Sequence, residues 1–176
     1  MSIRRLPLLA LLASTPLGAL WGCAADGVAG YSLGQTYDED VRTIAVPIFD
    51  NRSFDRELEF QLTEALIKRI EQETPYKVTH EAGADTILSG TILSVDRRLL
   101  SRDFDTALPQ EQLLEVTASF EWKDLRTGQV RRQRSRIRGA GEYIPSRGVG
   151  EPVEVARLAA VDDLSRQILS VMRSDW

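Results

Sequence analysis

The sequence predicts an α+β domain: a two-layer sandwich in which two long helices pack on one face of a mixed four- to five-stranded sheet. Three observations carry that expectation. Leu58, Leu62, Ala65, Leu66 and Ile70 recur at helical spacing, and so do Leu158, Val161, Leu164, Ile168, Val171 and Met172. Leu114, Val116, Ala118, Phe120 and Trp122 alternate without a break, the pattern of a half-buried strand. The order along the chain then reads β-α-β-β-β-β-α, with a right-handed crossover in the first β-α-β unit.

The first strand begins at Val41, with Ile44, Val46 and Ile48 on alternate positions and Phe49 next; Pro47 marks an edge or a strand end. Asp50-Asn51-Arg52-Ser53 is turn chemistry, and Ser53 or Asp55 is placed to cap the first helix. Pro75 stops that helix after about 20 residues, or roughly 30 Å. Tyr76–His80 reads as a short strand and Thr86–Val95 as a longer one, in which Gly90 marks a bulge. Periodicity lapses over 99–111. After the 114–122 strand, Asp124-Leu125-Arg126-Thr127-Gly128 supplies a hairpin turn with Gly128 in the left-handed position, and Gln129–Arg138 returns as a partner strand. Pro152 opens the final helix.

The chain has 176 residues, 43% of them hydrophobic and 27% charged, which is the composition of one globular domain. A net charge of −4 argues against a nucleic-acid partner, so any basic site must be local. A single cysteine and a single histidine exclude an internal disulfide framework and an all-Cys/His zinc site.

The N-terminus is an export signal: Arg4 and Arg5 form its basic start and Leu6 to Leu20 its apolar stretch, which is too short and too interrupted by Pro7 and Pro16 to span a bilayer. Leu20-Trp21-Gly22-Cys23 resembles the bacterial lipobox. That resemblance implies a signal peptide at 1–22, diacylglycerol and an N-acyl chain such as palmitate on Cys23, and a lipidated tether at 23–40 carrying a domain at 41–176. Acyl chains contribute about 0.8 kcal/mol per buried CH₂, enough for several chains to hold a soluble domain on a membrane. Under the sorting rule that the lipoprotein resemblance implies, Ala24 in place of an aspartate favours the outer membrane. The acidic run Asp38-Glu39-Asp40 is expected to be solvated.

Catalytic chemistry finds little support. His80 has no second histidine or cysteine near it, and the carboxylate pairs Glu57/Glu59, Asp103/Asp105 and Asp162/Asp163 are expected on solvated faces. Gly139-Ala140-Gly141 lacks the residues of a phosphate loop or a dinucleotide fingerprint. The domain is therefore read as a non-enzyme with no catalytic residue, metal or cofactor beyond the covalent lipid.

The anomaly is basic. Arg126, Arg131, Arg132, Arg134, Arg136 and Arg138 fall in a stretch without an acid. With a loop at 125–128, period two places Arg132, Arg134, Arg136 and Arg138 on the outer face, opposite Glu121, Ser119, Thr117 and Glu115. Arg131, Gln133, Ser135 and Ile137 then share the other face, the last three on the core side opposite Phe120, Ala118 and Val116. Arg132 and Arg138 find carboxylates in that register, whereas Arg134 and Arg136 face hydroxyl residues. A guanidinium row with free donors suits phosphate or carboxylate ligands, although a solvated strand would look the same. Lys77, Arg97 and Arg98 are weaker candidates.

Several segments, taken in order, resemble one family: Gly30-Tyr31-Ser32-Leu33-Gly34, the strand-turn unit from Ile44 to Ser53, Leu58–Leu66, Thr74–Val78, Ala84–Gly90, Glu142-Tyr143 and the final helix. Together with the lipobox they are similar to the lipopolysaccharide-assembly lipoproteins of the LptE family. The resemblance implies a periplasm-facing outer-membrane lipoprotein. Such a protein plugs and helps assemble a large LptD-type β-barrel translocon and aids lipopolysaccharide transport, with lipopolysaccharide as a ligand of the arginine strand. The Val-Pro-Ile-Phe-Asp-Asn-Arg-Ser unit is also similar to lipoprotein subunits of curli-type secretion channels and to regulators of cell-wall synthases, which bind protein partners instead.

Overall fold

The computed structural model describes residues 37–38, 40–105, 109–145 and 153–173, all within one compact unit that starts at Gln35. The signal peptide, Cys23, most of the tether and Pro152 lie outside the described residues. The fold is α+β: a mixed sheet of six strands, not four to five, with two helices. The elements are β1 (Thr43–Ala45), β2 (Asp50–Asn51), α1 (Leu58–Glu73), β3 (Lys77–Val78), a 3₁₀ turn (Glu81–Gly83), β4 (Thr86–Arg102), β5 (Pro109–Asp124), β6 (Val130–Tyr143) and α2 (Val153–Arg173). The strand order is β3-β1-β4-β5-β6, with β2 also pairing β4; β1, β2 and β3 join it in parallel and β4-β5-β6 are antiparallel.

The extra strand comes from Pro47, which has no N–H to give a ladder. The expected single strand stops at Ala45, Ile48 turns outward, and the chain rejoins β4 two residues at a time as β2. Asn51 then organises the connection to α1. Its Nδ2 donates to the Asp55 carbonyl and to Glu59 Oε2, while Ser53 donates through N and Oγ to Asn51 Oδ1. This network draws Ser53 and Asp55 away from the helix start, so neither is the cap. The N-cap is Glu57, left-handed at φ 72° and without a side-chain cap bond, a conformation that costs an L-residue roughly 1–2 kcal/mol. Asp55 instead receives Arg157 at 3.1 Å and Arg97 at 3.8 Å. α1 is 16 residues long, shorter than expected, and ends where Thr74 donates N and Oγ1 to the Ile70 carbonyl ahead of Pro75.

β4 and β5 form a hairpin that continues well past the core, through the stretch where sequence periodicity lapsed. Gly90 is not its bulge; the register shifts at Ile92/Ser94. A Cβ at Gly90 would strike the Phe49 ring and the Ser119 carbonyl, so glycine there makes room for a buried aromatic. Asp85 pins β1 to the start of β4, accepting from the N–H groups of Arg42 and Thr43 and from the Thr43 hydroxyl. The Thr43 hydroxyl first, and then those amides, hold its carboxyl below the usual range.

Leu114, Val116, Ala118, Phe120 and Trp122 are all buried, and with Leu58, Leu62, Leu66 and Ile70 of α1 they form one core. At roughly 1.5–3 kcal/mol per fully buried large side chain, this core dominates the stability. α2 packs along β5 and β6 and against α1. Of the expected stripe Val161, Leu164, Ile168 and Met172 are buried, but Leu158 is 59% exposed and Ala156 and Ala160 point inward in its place. The reason lies across the interface. A Cβ at Gly139 would meet the Ala160 carbonyl and Leu164, and one at Gly141 would meet Ala156. A glycine-lined strand and an alanine-lined helix allow backbones to approach, and that approach decides the helix rotation.

Candidate functional site

The β5-β6 hairpin closes as the sequence predicts: Asp124 N–H donates to the Gln129 carbonyl, Gly128 N–H to the Asp124 carbonyl, and Gly128 is left-handed at φ 74°. Asp124 completes the turn, its Oδ1 accepting from the N–H groups of Arg126 and Thr127 and its Oδ2 from Arg131 at 2.8 Å. Arg131 first, with those amides, holds the Asp124 carboxyl well below the usual carboxylate range.

Beyond the turn, β6 departs from the expected register. Lys123 pairs with Val130, but Trp122 pairs with Arg132, Glu121 with Gln133 and Phe120 with Arg134. A second shift then restores the phase, with Ala118 opposite Ile137 and Thr117 opposite Arg138. Each shift inserts one residue into β6, and a slip of one residue turns side chains to the other face. The row of four arginines on the outer face is therefore split. Arg132 and Arg134 sit opposite Trp122 and Phe120, Arg136 falls in the inserted stretch, and Arg138 sits opposite Thr117, pairing diagonally with Glu115 at 3.6 Å. The expected Glu121/Arg132, Ser119/Arg134 and Thr117/Arg136 pairs do not form, and neither do Phe120/Gln133 and Ala118/Ser135.

What the bulges assemble is a groove at the sheet edge. Arg134, Arg136, Ile137 and Arg138 line it from β6, and Gln167, Ser170 and Val171 from α2, around a volume of about 510 Å³. Arg134 and Arg136 are exposed; Arg134 donates to the neighbouring Gln133 carbonyl at 3.0 Å. Among the described residues neither has a carboxylate partner. Arg132 is half-buried and donates to the Arg131 carbonyl, so it is less available.

Arg131, which period two separates from the row of four and sets on the face of Gln133, is the structural arginine. Its guanidinium lies 5.7 Å from the Trp122 ring centroid and bridges Asp124 at 2.8 Å and Asp38 at 2.7 Å. Asp38 is thus an ion-pair partner and not merely a solvated tether charge. The only signal for this in the sequence was an aromatic residue, Tyr37, immediately before the acid.

The remaining candidates are dispersed. His80 is exposed beside the 3₁₀ turn, past a strand that ends at Val78. Lys77 and Arg98 are exposed singly, and Arg97 pairs with Asp55. The carboxylate pairs are partly structural. Asp162 holds Arg69 and Arg166, Asp163 accepts the Ala140 N–H and Gln167, and Glu59 holds Asn51. Among the described residues no group of His, Cys, Asp or Glu could hold a metal ion, and no helix is long and apolar enough to cross a membrane.

Residues 41–172 match the model of the family LptE, described as lipopolysaccharide-assembly. A comparison with curated proteins finds no match. Among solved structures, a Xanthomonas campestris protein is similar with a TM-score of 0.50 at 8% identity, over 76% of this chain and 86% of that one. The PelC dodecamer of Paraburkholderia phytofirmans gives 0.47 at 14%, over 78% and 93%. A Neisseria meningitidis lipoprotein gives 0.44 at 13%, over 73% and 99%. At 8% identity the likeness to the Xanthomonas campestris protein is one of fold alone.

Proposed function

This chain belongs to the LptE lipopolysaccharide-assembly family, and on that premise we propose that it is an outer-membrane lipoprotein, anchored through Cys23 and facing the periplasm. Within that reading it plugs and helps assemble an LptD-type β-barrel and aids delivery of lipopolysaccharide. Residues 1–22 are its signal peptide, and the domain, with helices layered on one face of the sheet, is a binding module without bond chemistry. The Arg134/Arg136 edge, with Arg138 and Arg132 flanking it, takes the phosphates and acidic sugars of lipopolysaccharide.

The observation that supports the ligand site is the pair Arg134 and Arg136, exposed in a groove beside Gln167 and Ser170 with no carboxylate to neutralise them among the described residues. A planar guanidinium fork binds phosphate bidentately. The test is lipopolysaccharide binding by the purified protein over a range of salt. The Arg134→Ala/Arg136→Ala double variant should bind at least tenfold more weakly with a shallower salt dependence; parental affinity would remove the site. Affinity purification of the tagged protein from its own membranes should recover a large outer-membrane barrel in stoichiometric amount. Recovery of a channel subunit or a cell-wall enzyme in its place would overturn the plug reading.

A further inference from the structure

Where the chain enters the domain, Tyr37 and Asp38 lie across a seat built by four elements. The Tyr37 ring meets Tyr76 edge-on at 5.9 Å and carries the Arg173 guanidinium 5.5 Å from its centroid, while its hydroxyl donates to the Glu73 carbonyl. Asp38 donates its N–H to the Tyr76 hydroxyl at 3.0 Å and gives its carboxylate to Arg131 at 2.7 Å. Beneath, Tyr76 leans on Trp122 at 6.0 Å.

Each receiving group has a second anchor. Arg131 is held by Asp124 at 2.8 Å and lies over Trp122; Arg173 is held by Glu73 at 2.8 Å; Tyr76 and Trp122 are 3% and 1% exposed. Arg131 and Arg173 are thus held by groups of the domain as well as by the segment. The occupant is held less firmly, because the Asp38 side chain is 49% exposed and an ion pair so placed is weak and screened by salt. Around the seat Trp122 Nε1, Arg131 Nε and Arg173 Nε are buried without an acceptor.

We propose that Tyr37–Asp38 is a releasable strap over a preformed seat, one that recognises an aromatic residue followed by an acid, and that the strap opens without unfolding the domain. In the full chain, Tyr37→Ala/Asp38→Asn should accelerate hydrogen exchange at the amides of residues 38 and 41, which bond Tyr76 and Asp38, at least tenfold while protection in β5 and β6 stays at the parental level. Raising salt on the parent should move the same amides in the same direction. With Trp21 and Trp176 replaced by phenylalanine, acrylamide should quench Trp122 more strongly in the double variant. If β5 and β6 lose protection together with the segment, it is an inseparable part of the core; if exchange at the amides of residues 38 and 41 does not change, these contacts do not hold it. Either result overturns the strap.

Discussion

The two halves of β6 lie on one strand, yet opposite rules govern them. From Val130 to Arg136 the strand is basic, bulged twice against β5 and mostly exposed; from Ile137 to Tyr143 its inward positions Gly139, Gly141 and Tyr143 are buried, the two glycines pressed on the backbone of α2. In the second half, even a methyl group has no room. In the first half the two bulges direct the side chains individually. Two neighbouring arginines consequently do different work: Arg131 is enclosed by two carboxylates and an indole, whereas Arg134 has none of these. Charge along a strand is therefore a poor guide to function until each guanidinium's partners are known.

That contrast can be broken most severely at Gly141. Gly141→Val would drive a side chain into Ala156 of α2, and with backbone as the obstacle the cost should be about 3 kcal/mol or more; thermal unfolding followed by circular dichroism should show loss of the folded state or a much lower Tm. Arg131→Ala comes next. It removes the donors to Asp124 and Asp38 and the cover on Trp122, and should lower Tm by roughly 5 °C or more. Arg131→Lys should recover only part of this, because an ammonium lacks the planar fork.

Acid gives a graded version of the same test. Asp124 and Asp85 are both depressed in the folded protein, so the unfolded chain binds more protons and stability rises with pH. Their contribution is complete above the ordinary carboxylate value near 4 and is lost as pH falls from there through the depressed folded values. Tm measured from pH 6 to pH 2.5 should fall mainly in the lower part of that range, and Arg131→Ala should flatten the fall. The smallest expected effect on stability is at Arg134 and Arg136, where alanine should change it by no more than about 0.5 kcal/mol. A larger loss at either position would mean that the groove arginines are also structural.

The β5 alternation, the hairpin loop with its left-handed Gly128 and the two helical segments were legible because burial repeats with the period of the backbone itself. The β6 register was not. Between Val130 and Arg136 no apolar side chain recurs to mark which face is inside, so two inserted residues leave no trace in the pattern. Leu158 misled for a related reason. Its spacing fits the apolar stripe, but the packing of α2 depends on how closely glycine and alanine let two backbones approach, which hydrophobicity does not encode.

From residues alone came the α+β class, the core side of β5, the family resemblance and the unusual basic strand, all of which rest on local periodicity and ordered motifs. The sixth strand, the rotation of α2, the choice of Arg131 over its neighbours as a structural partner, and the grouping of Arg134 and Arg136 beside Gln167 came from the assembled fold. Each of these depends on two segments distant in sequence meeting at ångström range, where a missing Cβ or one inserted residue outweighs any pattern along the chain.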